Sequence, residues 1–213
     1  MSQTAAVSAA RGPVDPTRPE PGLGAYNLKL GMWVFLLSEV MFFTSLIGAY
    51  IILRFAHPEH FAAPGEVLNV PLTAANTFVL ICSSVTMVKA FAAIARDDQK
   101  GLQLWLVATI ILGSTFVGVQ VYEYIHLFRD GFVPNAAAYT AGGGPLYGST
   151  FYLMTGFHGL HVSIGVGCLI WVLIQAIRGR YSSSHLGGVE VMGLYWHFVD
   201  LVWIVLFTIV YLI

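Results

Sequence analysis

The chain has 213 residues, of which 57% are hydrophobic and 10% charged, and its mean hydropathy is +0.74. Soluble domains sit near ~45–50% apolar and ~25% charged, so too little polar surface exists here to clothe a water-soluble globule; a soluble enzyme and a disordered chain are both excluded. A net charge of −1 leaves no basic footprint for nucleic acid, and the two cysteines, Cys82 and Cys168, lie inside apolar runs rather than in a disulfide or zinc spacing.

Residues 1–29 differ in kind from the rest. Pro13, Pro16, Pro19 and Pro21 break any helix, and no apolar stretch precedes a small-residue cleavage site. This reads as a mobile soluble tail, with the first span retained in the mature protein. From residue 30 onward, the chain reads as an all-α integral membrane domain, 30–213. A bilayer core about 30 Å thick needs about 20 apolar helical residues, and five stretches supply them: about 30–54, 72–95, 102–127, 148–177 and 192–213. No run alternates polar and apolar residues as a barrel strand must. The connection 128–147, with Pro134, Gly142, Gly143, Gly144 and Pro145, reads as a flexible loop on the outer side. No useful internal repeat is visible.

Orientation follows from lysine and arginine in the short connections. Arg11, Arg18, Lys29, Arg96, Lys100, Arg178 and Arg180 fall on one side, against Arg54 and Arg129 on the other. That places the N-terminus in the cytoplasm and the C-terminus outside. Lys89, near the inner end of the second span, is expected to snorkel to the interface along its aliphatic stem.

Ionisable groups within a membrane are costly and need a reason. Glu39 falls about 14 Å into the first span at 1.5 Å per residue, with Phe35, Leu36, Phe42, Phe43 and Leu46 as its helical neighbours. It is either a proton-linked carboxyl or a hydrogen-bonded structural one. Three further pairs stand at i, i+3 and so share a helix face: Gln120 with Glu123 (Tyr122 and His126 adjacent), His158 with His161, and His197 with Asp200. A haem or metal site among the three histidines is the sharper alternative. Two histidines three apart on one helix seldom address both faces of one iron, so hydrogen bonding between helices is preferred. Gly156, Gly159, Ser163 and Gly167 permit close helix contact. His57-Pro58-Glu59 looks like part of an oxidase copper motif but falls in a loop, where that motif does not belong.

Five blocks carry a resemblance: WVFLLSEVMFF (33–43), NTFVLICSSVTMVKA (76–90), GSTFVGVQVYEY (113–124), TGFHGLHVSIG (155–165) and YWHFVDLVW (195–203). Taken in order across 30–213, they resemble subunit III of the haem-copper respiratory oxidases, in a short five-helix bacterial form. The resemblance implies a non-catalytic, multi-pass subunit in the bacterial inner membrane. It would belong to a proton-pumping complex that reduces dioxygen to water. Haems and copper would reside in partner subunits, with no cofactor on this chain beyond bound phospholipid. Implied partners are subunit I by direct packing, subunit II and a small subunit IV. Glu39, Glu123, His158, His161, His197 and Asp200 match the family's buried polar positions, and no catalytic or metal-ligating residue is implied here.

The chain also departs from the family pattern. Many members have seven spans, so the family's lipid cleft would be incomplete on this chain, with added helices of subunit I supplying the other wall. Where the seven-span form has a lipid-facing arginine, this chain has Gln175, with Arg178 one turn later; a phosphate role passes to that pair, against the plainer role of Arg178 as a positive-inside residue. The Ser-Glu-x-x-Phe-Phe form points to cytochrome c as donor to the complex, with a quinol oxidase as the alternative. A haem-b anchor and a proton-coupled transporter using Glu39 and Asp200 are the remaining alternatives.

Overall fold

The computed structural model describes residues 23–61, 67–133, 145–183 and 186–212. All regular structure among them is helical: α1 Leu23–Ala56, α2 Val70–Ile94, α3 Gln99–Arg129, α4 Pro145–Ile177 and α5 Gly187–Phe207, with a 3-10 turn at Pro58–His60 and a π turn at Thr208–Leu212. Among the described residues, five helices are long and apolar enough to cross a membrane. All five start earlier than the uncharged runs suggest, two of them by five residues or more. α1 begins at Leu23, two residues past Pro21, and α5 begins at Gly187. Residues 1–22 and 134–144, which hold most of the expected tail and much of the expected loop, lie outside the described residues; Pro145 opens α4.

The helix ends are built by local chemistry. Asn69 caps α2 by accepting from Leu72 N (3.2 Å), and Asp98 caps α3 by accepting from Gly101 N (2.9 Å). At the other ends, α2, α3 and α4 all stop in the paired-bond arrangement that a left-handed residue makes possible. Gly131 (φ +84°) and Gly179 (φ +69°) supply it for α3 and α4, while Asp97 (φ +56°) does so for α2. The diagnostic bonds are Phe132 N to Leu127 O, Arg180 N to Gln175 O, and Asp98 N to Ala93 O, at 2.9–3.1 Å.

Helices α2, α3, α4 and α5 form a closed ring, each packed on the next and α5 returning to α2; α1 stands outside it, resting on α5 and, less, on α4. Two tryptophans seven residues apart on α5 form the spine of the ring. Trp196 donates from Nε1 to Ser83 Oγ of α2 (2.9 Å), and its ring lies between Gly113 of α3 and Gly165 of α4. A Cβ added at either would fall 2.6 or 2.9 Å from the indole. Trp203 donates to Thr77 Oγ1 of α2 (2.9 Å), stands edge-on to Phe116 of α3 (4.9 Å) and lies 4.7 Å from the ring of His158 on α4. Lipid tails are as apolar as leucine, so close fit and shared hydrogen bonds, not water exclusion, hold such a ring. Of the small residues singled out on α4, Gly159 makes a close approach, against the Gln120 amide, whereas Gly167 meets nothing within 4 Å.

Candidate functional site

Because α1 leans on α5 but touches α4 only lightly, a cleft of about 1140 Å³ remains between them. This exceeds the ~300–1,000 Å³ of ordinary small-molecule pockets. Along α1 it runs from Leu28 to Phe42 and along α4 from Phe157 to Val172, a length of about 21–22 Å at 1.5 Å per residue. Met32, Phe35, Ile164, Trp171 and Met192 make its walls apolar. Near one mouth, Lys29 of α1 forms an ion pair with Glu190 of α5.

The polar groups of the cleft gather at Glu39 and His161. Glu39 projects from α1 and His161 from α4, and Glu39 Oε2 lies 3.1 Å from His161 Nε2, with both side chains under one-fifth exposed. His161 Nδ1 is 2.7 Å from the carbonyl of Phe157, which only accepts, so Nδ1 carries a hydrogen and donates it. The contact with Glu39 therefore holds one proton, which resides either on the carboxyl or on the imidazole. Tyr195 OH donates to the carbonyl of His161 at 2.9 Å, fixing this turn of α4 to α5. The apolar surroundings expected for Glu39 are thus corrected. Its own helix face is apolar, but a histidine reaches it from another helix.

The other expected pairs part company. His158 is fully buried, its Nε2 donating to Val199 O (3.2 Å), and it faces the ring interior while His161 faces the cleft. His197 does not pair with Asp200: its Nδ1 meets Ser84 Oγ of α2 at 2.5 Å. Asp200 has Ser84 within interacting reach, yet neither of its buried oxygens has a hydrogen-bond partner among the described residues. Gln120 donates to Thr155 O (2.8 Å), whereas Glu123 accepts from Thr73 Oγ1 (3.0 Å) and Tyr211 OH (3.2 Å), tying the π turn to the ring. The three histidines converge on no common point, and no group of three His, Cys, Asp or Glu side chains among the described residues is placed to hold a metal ion. Arg178 is exposed beyond α4, and neither it nor Gln175 lines the cleft. Lys89 lays its ammonium over the Trp105 ring, 4.4 Å from the centroid.

Sequence reasoning missed Ser84, Thr73 and Tyr211, whose hydroxyls give no signal of their own. It also missed a clip between two turns. Asp97 accepts from both the N and the Oγ of Ser183 (2.6 Å each), and these bonds hold its carboxyl below the usual aspartate range. Gln99 Nε2 donates to Tyr181 O (2.7 Å) beside it.

Residues 24–213 match the family described as Cytochrome c oxidase subunit III. The chain belongs to that family. A Synechocystis sp. protein named cytochrome c oxidase subunit 3 is 41% identical over 184 residues, 86% of this chain and 74% of its own length. The Thermostichus vulcanus protein of the same name is 38% identical, covering 86% of each chain. A probable quinol oxidase subunit 3 from Staphylococcus haemolyticus is 35% identical over 87% of this chain and 88% of its own. The chain is therefore a multi-pass membrane protein and subunit III of a haem-copper oxidase. In this subunit III, the Ser-Glu block of α1 and the His-Gly-Leu-His block of α4 face each other across the cleft.

Proposed function

We propose that this chain is the non-catalytic subunit III of a proton-pumping oxidase that takes electrons from cytochrome c. It packs on subunit I, beside subunit II and a small subunit IV, in the bacterial inner membrane with its N-terminus cytoplasmic. Redox chemistry belongs to the haems and copper of the partner subunits. This chain contributes a lipid-filled flank and a proton-exchanging pair. The observation that carries this reading is the Glu39–His161 contact, mid-span and open to an apolar cleft about 21 Å long. An acyl chain suits those walls, and a carboxyl sharing one proton with an imidazole suits transient proton storage near an uptake route. Arg178 and Gln175 remain proposed headgroup contacts at the end of α4.

The test is purification of the intact complex through a tag on this chain. Subunits I and II and retained phospholipid are expected together. Glu39→Gln should leave the subunits associated while slowing proton uptake or shortening the oxidase's working life during turnover. Co-purification of neither subunit would overturn the assignment.

The quinol-oxidase name of the Staphylococcus relative supports a second reading of the donor. Reduced cytochrome c and a ubiquinol analogue, offered separately to the purified complex, separate the two. A haem-b anchor is tested by the optical spectrum of the isolated chain, where a Soret band lost on His158→Ala would favour it. Substrate uptake by the chain alone in vesicles would favour a transporter.

A further inference from the structure

The outer seam of α2 and α3 lies apart from the cleft, whose walls come from α1, α4, α5 and the turn before α5. On it, Lys89 of α2 places its Nζ over the ring of Trp105 of α3. By helical rise, Lys89 is about 7.5 Å inside the last residue of α2 and Trp105 about 9 Å inside the first residue of α3, so the two share one depth just below the end of the bundle. Lys89 is exposed, and among the described residues no carboxylate pairs with it. The nearest acidic residues in sequence are engaged elsewhere, Asp97 by Ser183 and Asp98 by Gly101 N. Toward the end of the bundle stand two further cations, Arg96 two turns beyond Lys89 and Lys100 at the head of α3, with Asp97 and Asp98 between them. Toward the middle the exposed large side chains are apolar, with Ile81 and Val85 on α2 and Val107 and Ile111 on α3.

A cation held by an aromatic face, basic groups on one side and an apolar strip on the other match the order of charges in a glycerophospholipid. We propose that Lys89 and Trp105 form a headgroup site for an anionic phospholipid on the α2–α3 seam, separate from the cleft. The ammonium meets the phosphodiester and the indole sits at the headgroup level, where tryptophan is favoured. Arg96 and Lys100 select a net negative headgroup over a zwitterionic one. The acyl chains lie along Val85 and Ile111. The site needs only the membrane-spanning fold, and it stands whichever donor the complex uses.

The experiment is native mass spectrometry of the delipidated complex containing this chain, titrated with phosphatidylglycerol or phosphatidylcholine. The wild type is expected to bind one phosphatidylglycerol that Lys89→Gln binds about fivefold more weakly, the effect of one basic residue at a charged membrane surface. Lys89→Arg should keep that lipid, Trp105→Leu should weaken it, and phosphatidylcholine binding should not distinguish the variants. Equal phosphatidylglycerol binding by wild type and Lys89→Gln overturns the site. So does an equal loss of phosphatidylcholine, displacement of the lipid by millimolar inorganic phosphate, or release of a protein subunit from Lys89→Gln with its lipid count unchanged. If Lys89→Gln fails to accumulate, Lys89→Arg and Trp105→Leu decide the matter by the same count.

Discussion

The ring of α2–α5 and the margin beside α1 solve the same problem in opposite ways. In the ring, polar groups are sealed and mostly paired: Glu123 with Thr73 and Tyr211, Trp196 with Ser83, Trp203 with Thr77, Gln120 with the Thr155 carbonyl. At the margin, Glu39 and His161 meet across a cleft that stays open. The difference separates polar groups that hold helices together from polar groups left where a proton or lipid can reach them.

The contrast breaks most visibly if a tryptophan from each region is removed. Trp196→Ala leaves a void between two glycines and is expected to cost about 3–5 kcal/mol. Trp171→Ala, at a 60% exposed cleft position, should cost under about 0.5 kcal/mol. Thermal melting of the purified protein should put the two far apart, and similar losses would mean that the ring is not the stabilising unit. A carboxyl comparison comes next. Glu123→Leu strands the buried Tyr211 hydroxyl, while Thr73 keeps the Asn69 carbonyl, and is expected to cost about 1–3 kcal/mol, whereas Glu39→Ala should leave insertion and subunit association intact. Loss of association on Glu39→Ala would make that carboxyl a structural one.

Asp97 sharpens the comparison at the surface. Its carboxyl is held below its ordinary value by Ser183, so it contributes stability that is complete above the unfolded aspartate's pKa and is lost as pH falls through the lower folded value. Melting of wild type and Asp97→Asn should therefore differ near neutrality and converge in acid; an offset unchanged by pH would point to the turn geometry instead. The smallest effect is expected at Lys29 and Glu190. Lys29→Gln should shift stability by at most about 1 kcal/mol, less in high salt.

Five helices were legible because long uncharged runs have no other stable form in lipid. Their arrangement was not. α1 is as apolar as α2 and α3, since a residue facing lipid and one facing a membrane ring are both hydrophobic. Nothing in its composition marks it as the outlier. Spacing along one helix put His158 and His161 on a shared face, yet one turns into the ring and the other into the cleft, with partners on α5 and α1 that spacing does not report. The pairing of His197 with Asp200 failed for the same reason, because a serine on α2 takes the imidazole first. The tryptophans seven apart on α5 lie within the block 195–203, where nothing singles them out. What was missing was the pair of glycines, Gly113 and Gly165, that makes room for one of them.

The placement of α1 also has a consequence for biogenesis. Its main support, α5, leaves the ribosome after about 130 intervening residues, roughly 6 to 26 s later at ordinary elongation rates. Until then the first helix waits without its seat, even after α4 has brought the imidazole that meets its glutamate. The subunit's flank is closed last by the piece that was made first.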